Sequence, residues 1–204
     1  MVNLLLRLGL VLIAGFSAVG LTSCGTGRDT RNKMIVSVRD QRMLLARDGK
    51  PVKVYPISTS KFGVGDSPGS NRTPLGRMEV ARKIGDNAPK GAVFKNRHPT
   101  GEVLKPNAPG RDPVVSRILW LKGREGHNRN AYRRFIYIHG TPEEWRLGQP
   151  ASYGCIRMSS RDVVDLYRRI GPGAEVRVIR GSLISTQEGI EYVKSGKGRR
   201  SVGA

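Results

Sequence analysis

FIYIHGTPEEWRLGQPASYGCIRM, Phe135 to Met158, carries a strand, a spacer and a lone thiol in one short run. Alternation along Phe135-Ile136-Tyr137-Ile138-His139 puts Phe135, Tyr137 and His139 on one face and the two isoleucines on the other. His139 therefore ends a strand, held rigidly but at a rim. Cys155, sixteen positions beyond His139, and Cys24 are the two cysteines in the sequence. Three readings of Cys155 stand side by side. It is a buried structural cysteine, a metal ligand shared with His139, His98 or His127, or a nucleophile. No C-x-x-C or H-x-x-x-H spacing supports a zinc site. For the nucleophile, Gly154 removes a side chain beside the sulfur, and Arg157 adds positive charge. A helix N-terminus just beyond Ser159 adds more, so thiolate is expected over thiol.

Outward from this stretch, a helix follows. Ser159 is its expected N-cap with Asp162 at the third position. Val163, Leu166, Tyr167 and Ile170 form one apolar face, and Gly171-Pro172-Gly173 stops it. Strands are expected at Met34–Val38, Met43–Ala46, Val52–Ile57, Arg77–Ala81, Ser116–Leu121 and Glu175–Ile179, with Asp48-Gly49 as a hairpin turn. Gly85 to Pro113, rich in Gly, Pro, Asn and charge, reads as one long loop, functional or mobile. A second, weaker helix is expected from about Thr186 to Val193. The fold class is mainly β with one or two short helices.

The N-terminus has one basic residue, Arg7, then an apolar run from Leu8 to Leu21, too short for a comfortable membrane span. It reads as a secretory signal, residues 1–23. The run closes on Leu21-Thr22-Ser23-Cys24, which resembles the bacterial lipobox, in which the cysteine becomes the lipid-bearing first residue. An ordinary signal cleaved nearby and a retained anchor are the alternatives. Residues 24–33 then form a polar tether, 34–180 one domain, and 181–204 the weak helix and a basic, unstructured tail. Lys and Arg total 36 against 16 Asp and Glu, a net charge of +20. Such charge favours a polyanionic partner. Export disfavours nucleic acid, and no motif with interleaved aromatics supports it.

The segment Ile138–Met158 resembles the signature of the L,D-transpeptidase (YkuD-type) family, bacterial enzymes that remodel peptidoglycan. That signature is His-Gly, a spacer, then Ser-x-Gly-Cys-x-Arg, here His139-Gly140, residues 141–151, and Ser152-Tyr153-Gly154-Cys155-Ile156-Arg157. Thr73-Pro74-Leu75-Gly76 looks like the family's T-P-x-G element. The resemblance implies an L,D-transpeptidase-type β-sandwich or barrel and assigns roles residue by residue. Cys155 would be the nucleophile and His139 its base, oriented by the Gly140 carbonyl. Backbone N–H groups around Gly154 and Cys155 would form the oxyanion hole. Ser152, Tyr153, Gly154 and Arg157 would contact the substrate, with Arg157 steadying a carboxylate, the loop, or a structural ion pair. Many members carry histidine where Tyr153 stands, which leaves any relay through that position open. Trp145 either walls the groove or packs on the core.

The implied reaction is acyl transfer. The thiolate attacks the carbonyl of the third stem residue, a diamino acid, and expels terminal D-alanine. The thioester passes to an amine of another stem, a lipoprotein lysine, or water. No metal or cofactor is called for. The implied partners are peptidoglycan stem peptides and possible acceptor lipoproteins, with the chain lipid-anchored through Cys24 in the cell envelope and facing the periplasm. Two other classes compete. A sortase-like transpeptidase needs a longer His–Cys separation and a threonine where Gly154 stands. A non-catalytic basic lipoprotein bound to anionic wall polymer needs neither His139 nor Cys155.

Overall fold

The first hairpin forms because two apolar runs, Met34-Ile35-Val36 and Met43-Leu44-Leu45-Ala46, face each other across a tight turn. A computed structural model gives the fold and describes residues 27–196. Cys24, the signal segment and the basic tail beyond Gly196 lie outside the described residues. In chain order the strands are β1 (Asn32–Ser37), β2 (Arg42–Arg47), β3 (Lys50–Pro56), β4 (Gly76–Ile84) and β5 (Ala92–Lys95). They continue as β6 (His98–Val103), β7 (Val114–Gly123), β8 (Tyr137–Gly140) and β9 (Ile156–Met158). Helix α1 (Ser160–Arg169) precedes β10 (Glu175–Ile179), and α2 (Gln187–Lys194) follows it. The protein is mainly β with two helices, as the sequence suggested.

The strands run in the order β3-β2-β1-β10-β4-β7-β5-β6, and β8 and β9 branch from β7. Two pairings are parallel, β1 with β10 and β8 with β9. Just past β3, Ser58 exchanges both backbone hydrogen bonds with Arg157 of β9, at 3.0 and 2.9 Å. This bridge joins the β9 end of the branch to the β3 end of the sheet, so neither is left as an open edge there.

Inside lies one core built from Met34, Val36, Met43, Leu45 and Tyr55 on one side and Leu119, Leu121, Ile138, Ile156 and Met158 on the other. Helix α1 contributes Val163, Leu166 and Tyr167, the face expected from its spacing. Its N-cap is Ser159, whose hydroxyl accepts the Asp162 N–H at 3.0 Å. Ile35 and Leu44 point the opposite way and are buried too, under Leu183 and Tyr192. Both faces of β1 and β2 are thus covered. That is why those strands read as unbroken apolar runs instead of alternating.

The long loop expected between Gly85 and Pro113 contains the β5–β6 hairpin. All six residues of β6 are exposed, so the segment offers no apolar alternation for a sequence reading to find. Strand β9, three residues long, was likewise not anticipated. Phe135, expected to open β8, has φ of +56° and turns out of the strand; β8 starts at Tyr137.

Ile156 is fully buried and joins the core from the shortest strand. Ile156→Ala should lower unfolding free energy by about 2–5 kcal/mol, read as a lower urea midpoint at unchanged m-value.

Candidate active site

Strand β9 pairs with β8 in a parallel register that sets Ile138 beside Ile156, His139 beside Arg157 and Gly140 beside Met158. One residue back, Cys155 falls beside Tyr137. The Tyr137 N–H donates to the Cys155 Sγ at 3.4 Å, and the thiol donates to the Phe135 carbonyl at 3.4 Å. Because Ile138, Ile156 and Met158 fill the core, alternation turns Tyr137, His139, Cys155 and Arg157 to the other face. A bulge in β7 between Val115 and Ile118 sets Ile118 against His139.

His139 is buried, 5% exposed, and its Nδ1 lies 2.8 Å from the Gly140 carbonyl. A carbonyl only accepts, so Nδ1 carries the proton and the neutral ring keeps its lone pair on Nε2. Burial lowers the imidazole pKa, opposed by the Gly140 bond and the charge of Asp112. Gly140 has no space for a side chain: a Cβ there would lie 2.7 Å from the Val115 carbonyl oxygen.

Burial pushes the Cys155 thiol up to about 11, against pulls from the Tyr137 N–H, Arg134 and Arg157. Arg157 favours thiolate, as expected, but its pull is smaller than the effect of burial. Both cations near the sulfur are already paired, Arg134 with Asp66 at 2.9 Å and Arg157 with Asp112. Helix α1 begins at Ser160, beyond the whole of β9. Dehydration of the sulfur then prevails. Burial thus favours the uncharged form of both the thiol and the imidazole.

The turn carrying Cys155 is clasped from within. Ser152 Oγ accepts the Gly154 N–H at 3.2 Å and donates to the Cys155 carbonyl at 2.6 Å. Gly154 has φ of +120°, a region closed to residues with a Cβ, and an added Cβ would sit 3.3 Å from Ile136 Cδ1. Thr73 Oγ1 donates to the Gly154 carbonyl at 3.0 Å and accepts the Ser60 N–H at 3.0 Å. Ser152 is itself buried, so its hydroxyl builds the turn. Tyr153 instead stands out at the rim, where Lys61 Nζ donates to its hydroxyl at 2.9 Å and Phe62 meets its ring at 5.5 Å. Lys61 lowers the pKa of this phenol.

Arg157, 3% exposed, donates to Asp112 and, at 3.2 Å, to Glu143 Oε2. Asp112 also accepts the Thr141 hydroxyl. The guanidinium therefore clasps the loop before β7 to the loop after β8, the ion-pair role among those open to it. Trp145 is exposed, with the Arg146 guanidinium 4.6 Å from its ring, and its backbone N–H donates to Asn107 Oδ1 at 3.1 Å; it is not a core residue. Among the described residues no group of three or more His, Cys, Asp or Glu gathers as a metal site.

Sequence reasoning did not single out four contributors. Tyr137 and Phe135 act through backbone atoms, for which side-chain identity gives no signal. Thr73 was visible only inside the T-P-x-G resemblance. Asp112 sits in Pro109-Gly110-Arg111-Asp112-Pro113, which reads as plain loop.

The sequence of residues 31–178 matches a family model for the L,D-transpeptidase catalytic domain (YkuD). The chain belongs to this family. "Probable L,D-transpeptidase YcfS" of Escherichia coli (strain K12) is 26% identical over 154 residues, 73% of this chain and 44% of that protein. YqjB of Bacillus subtilis (strain 168), also an L,D-transpeptidase by name, is 27% identical over 147 residues, 71% of this chain and 69% of that protein. The chain thus spans less than half the length of the first relative. Among solved structures, an L,D-transpeptidase from Mycobacterium smegmatis aligns at a TM-score of 0.48 and 17% identity, covering 73% of this chain and 58% of that one. Family membership rests on the sequence match.

Gly154→Ala should destabilise the protein by about 1–3 kcal/mol through backbone strain alone, seen as a lower melting temperature. A melting temperature equal to wild type would mean that the turn relaxes freely.

Proposed function

We propose that this protein is a peptidoglycan L,D-transpeptidase in which Cys155 and His139 perform acyl transfer. The observation that carries the reading is the imidazole: its Nδ1 is committed to the Gly140 carbonyl, which presents Nε2 as a base on the face that bears the thiol. Family membership supplies the reaction class.

In the first half-reaction His139 Nε2 takes the thiol proton as sulfur attacks the carbonyl of the third stem residue, a diamino acid. The C–S bond forms and the carbonyl π pair moves to oxygen. The Cys155 N–H, on the clasped turn, donates to that oxyanion; the Gly154 N–H is already given to Ser152. Collapse expels the amine of terminal D-alanine, which takes the proton from His139. The thioester then passes by the same steps in reverse to an amine acceptor or to water. Because both groups start neutral, charge arises only as the bond forms, where the buried site holds it against fixed dipoles. Lipid attachment at Cys24 would keep this chemistry beside the wall in the cell envelope, facing the periplasm, with stem peptides and acceptor lipoproteins as partners.

Mass spectrometry of the full chain in detergent with a disaccharide tetrapeptide tests the reading. The expected result is a mass increase with D-alanine release on the wild type and neither on Cys155→Ala. His139→Ala should slow acylation by about 10²–10⁴-fold. A folded wild type giving no adduct and no D-alanine would refute the catalytic reading and favour a basic wall-binding lipoprotein.

A further inference from the structure

Beneath the β5–β6 hairpin lies a cavity of about 360 Å³ whose walls include Phe94, Asn96, Arg97, Ile118, Phe135 and Tyr137. This is a size that suits part of a small ligand. Phe135 and Tyr137 are the residues whose carbonyl and N–H hold the Cys155 sulfur, and Ile118 pairs with His139. The cavity is thus walled by the two residues that hold the nucleophile's sulfur and by the strand neighbour of His139. Its walls are aromatic and aliphatic apart from Asn96 and one cation, Arg97.

Arg97 is placed deliberately by the backbone. It occupies the tip between β5 and β6, where Asn96 and Arg97 take φ of +51° and +71°. A left-handed arginine is uncommon and costs energy. The turn tips its guanidinium inward, 5.0 Å from the Phe135 ring centre and 5.1 Å from that of Trp120. The side chain is half-buried. Among the described residues no carboxylate pairs with it, whereas Arg134 and Arg157, the two arginines that act on the sulfur, are each paired. The guanidinium also reaches the Tyr137 hydroxyl, a neutral partner, which leaves its charge without a counter-ion against the aromatic faces. The natural complement of that fork is a carboxylate bound through two parallel hydrogen bonds.

We propose that this cavity is a subsite for a carboxylate of the donor peptide, held by Arg97 at the hairpin tip. The inference rests on the transpeptidase reading and deepens it, by making Arg97 a specificity-determining residue. The carboxylate comes either from the terminal D-alanine or from the side chain of a diamino acid that bears one. Both lie within a residue of the scissile carbonyl.

The test compares wild type, Arg97→Gln and Arg97→Lys, as full chains in detergent, on three donors. One is the disaccharide tetrapeptide with free carboxylates; the others carry a carboxamide at the terminal residue or at the diamino-acid side chain. Wild type should lose about tenfold in kcat/KM on one of the two amides, the magnitude of a hydrogen bond to a charged group. That amide identifies the source of the carboxylate. Arg97→Gln should show the same loss on the free donor, mainly in KM, and no further loss on that amide. Arg97→Lys should recover part of it. Melting temperatures within a few degrees of wild type separate the effect from misfolding. Wild type indifferent to both amides would overturn the subsite, as would Arg97→Gln that still discriminates against the amide as wild type does. Wild type forming no adduct with any donor would instead overturn the transpeptidase reading, and the subsite with it.

Discussion

The parallel pairing of β8 with β9 is the constraint on which the rest depends. It is short, and on its own three residue pairs would slip easily. The register is fixed from both faces. Inward, Ile138, Ile156 and Met158 lock into the core. Outward along the chain, the Ser58–Arg157 bridge ties β9 to the far end of the sheet, and the buried Arg157 guanidinium ties the flanking loops through Asp112 and Glu143. A one-residue slip would send His139 or Cys155 into the core. Structural residues thus determine which atoms meet at the site.

The same packing decides the charge state. A thiol set over a hydrophobic cluster with Ile118, Trp120 and Tyr137 loses hydration, and the cations close enough to compensate are already neutralised by Asp66 and Asp112. With the thiol pKa pushed up by burial, the thiol form is favoured over thiolate at neutral pH. His139, buried where Cys155 is half-buried, has its imidazole pKa lowered by the same loss of hydration. Two neutral groups leave the free Cys155 thiol slow to oxidise, since oxidation proceeds through the thiolate. Reactivity is then delivered by proton transfer when a carbonyl arrives.

Much of this was legible in the sequence where local rules and packing agree. Helix α1 declared itself by the Ser159 cap and its four-residue apolar face, and β10 by simple alternation. His139-Gly140 and the Ser152–Arg157 run pointed to the site because their spacing is restricted. What stayed hidden obeys other forces. Strand β6 buries none of its residues and is recognisable only through its partner. Strand β9 is held by neighbours on both sides instead of by its own propensity. The thiol's pKa could not be read from Arg157 in sequence, because its counter-ion, Asp112, comes from a loop 45 positions away.

The pH dependence of Cys155 alkylation, followed by peptide mapping after iodoacetamide treatment of the full chain, tests this account most directly. Only thiolate reacts, so the account predicts a rate that climbs about tenfold per pH unit from pH 6 and levels off near pH 11, with no shoulder below pH 8. A plateau between pH 5 and 8 that disappears in His139→Ala would show a resting thiolate–imidazolium pair and contradict it.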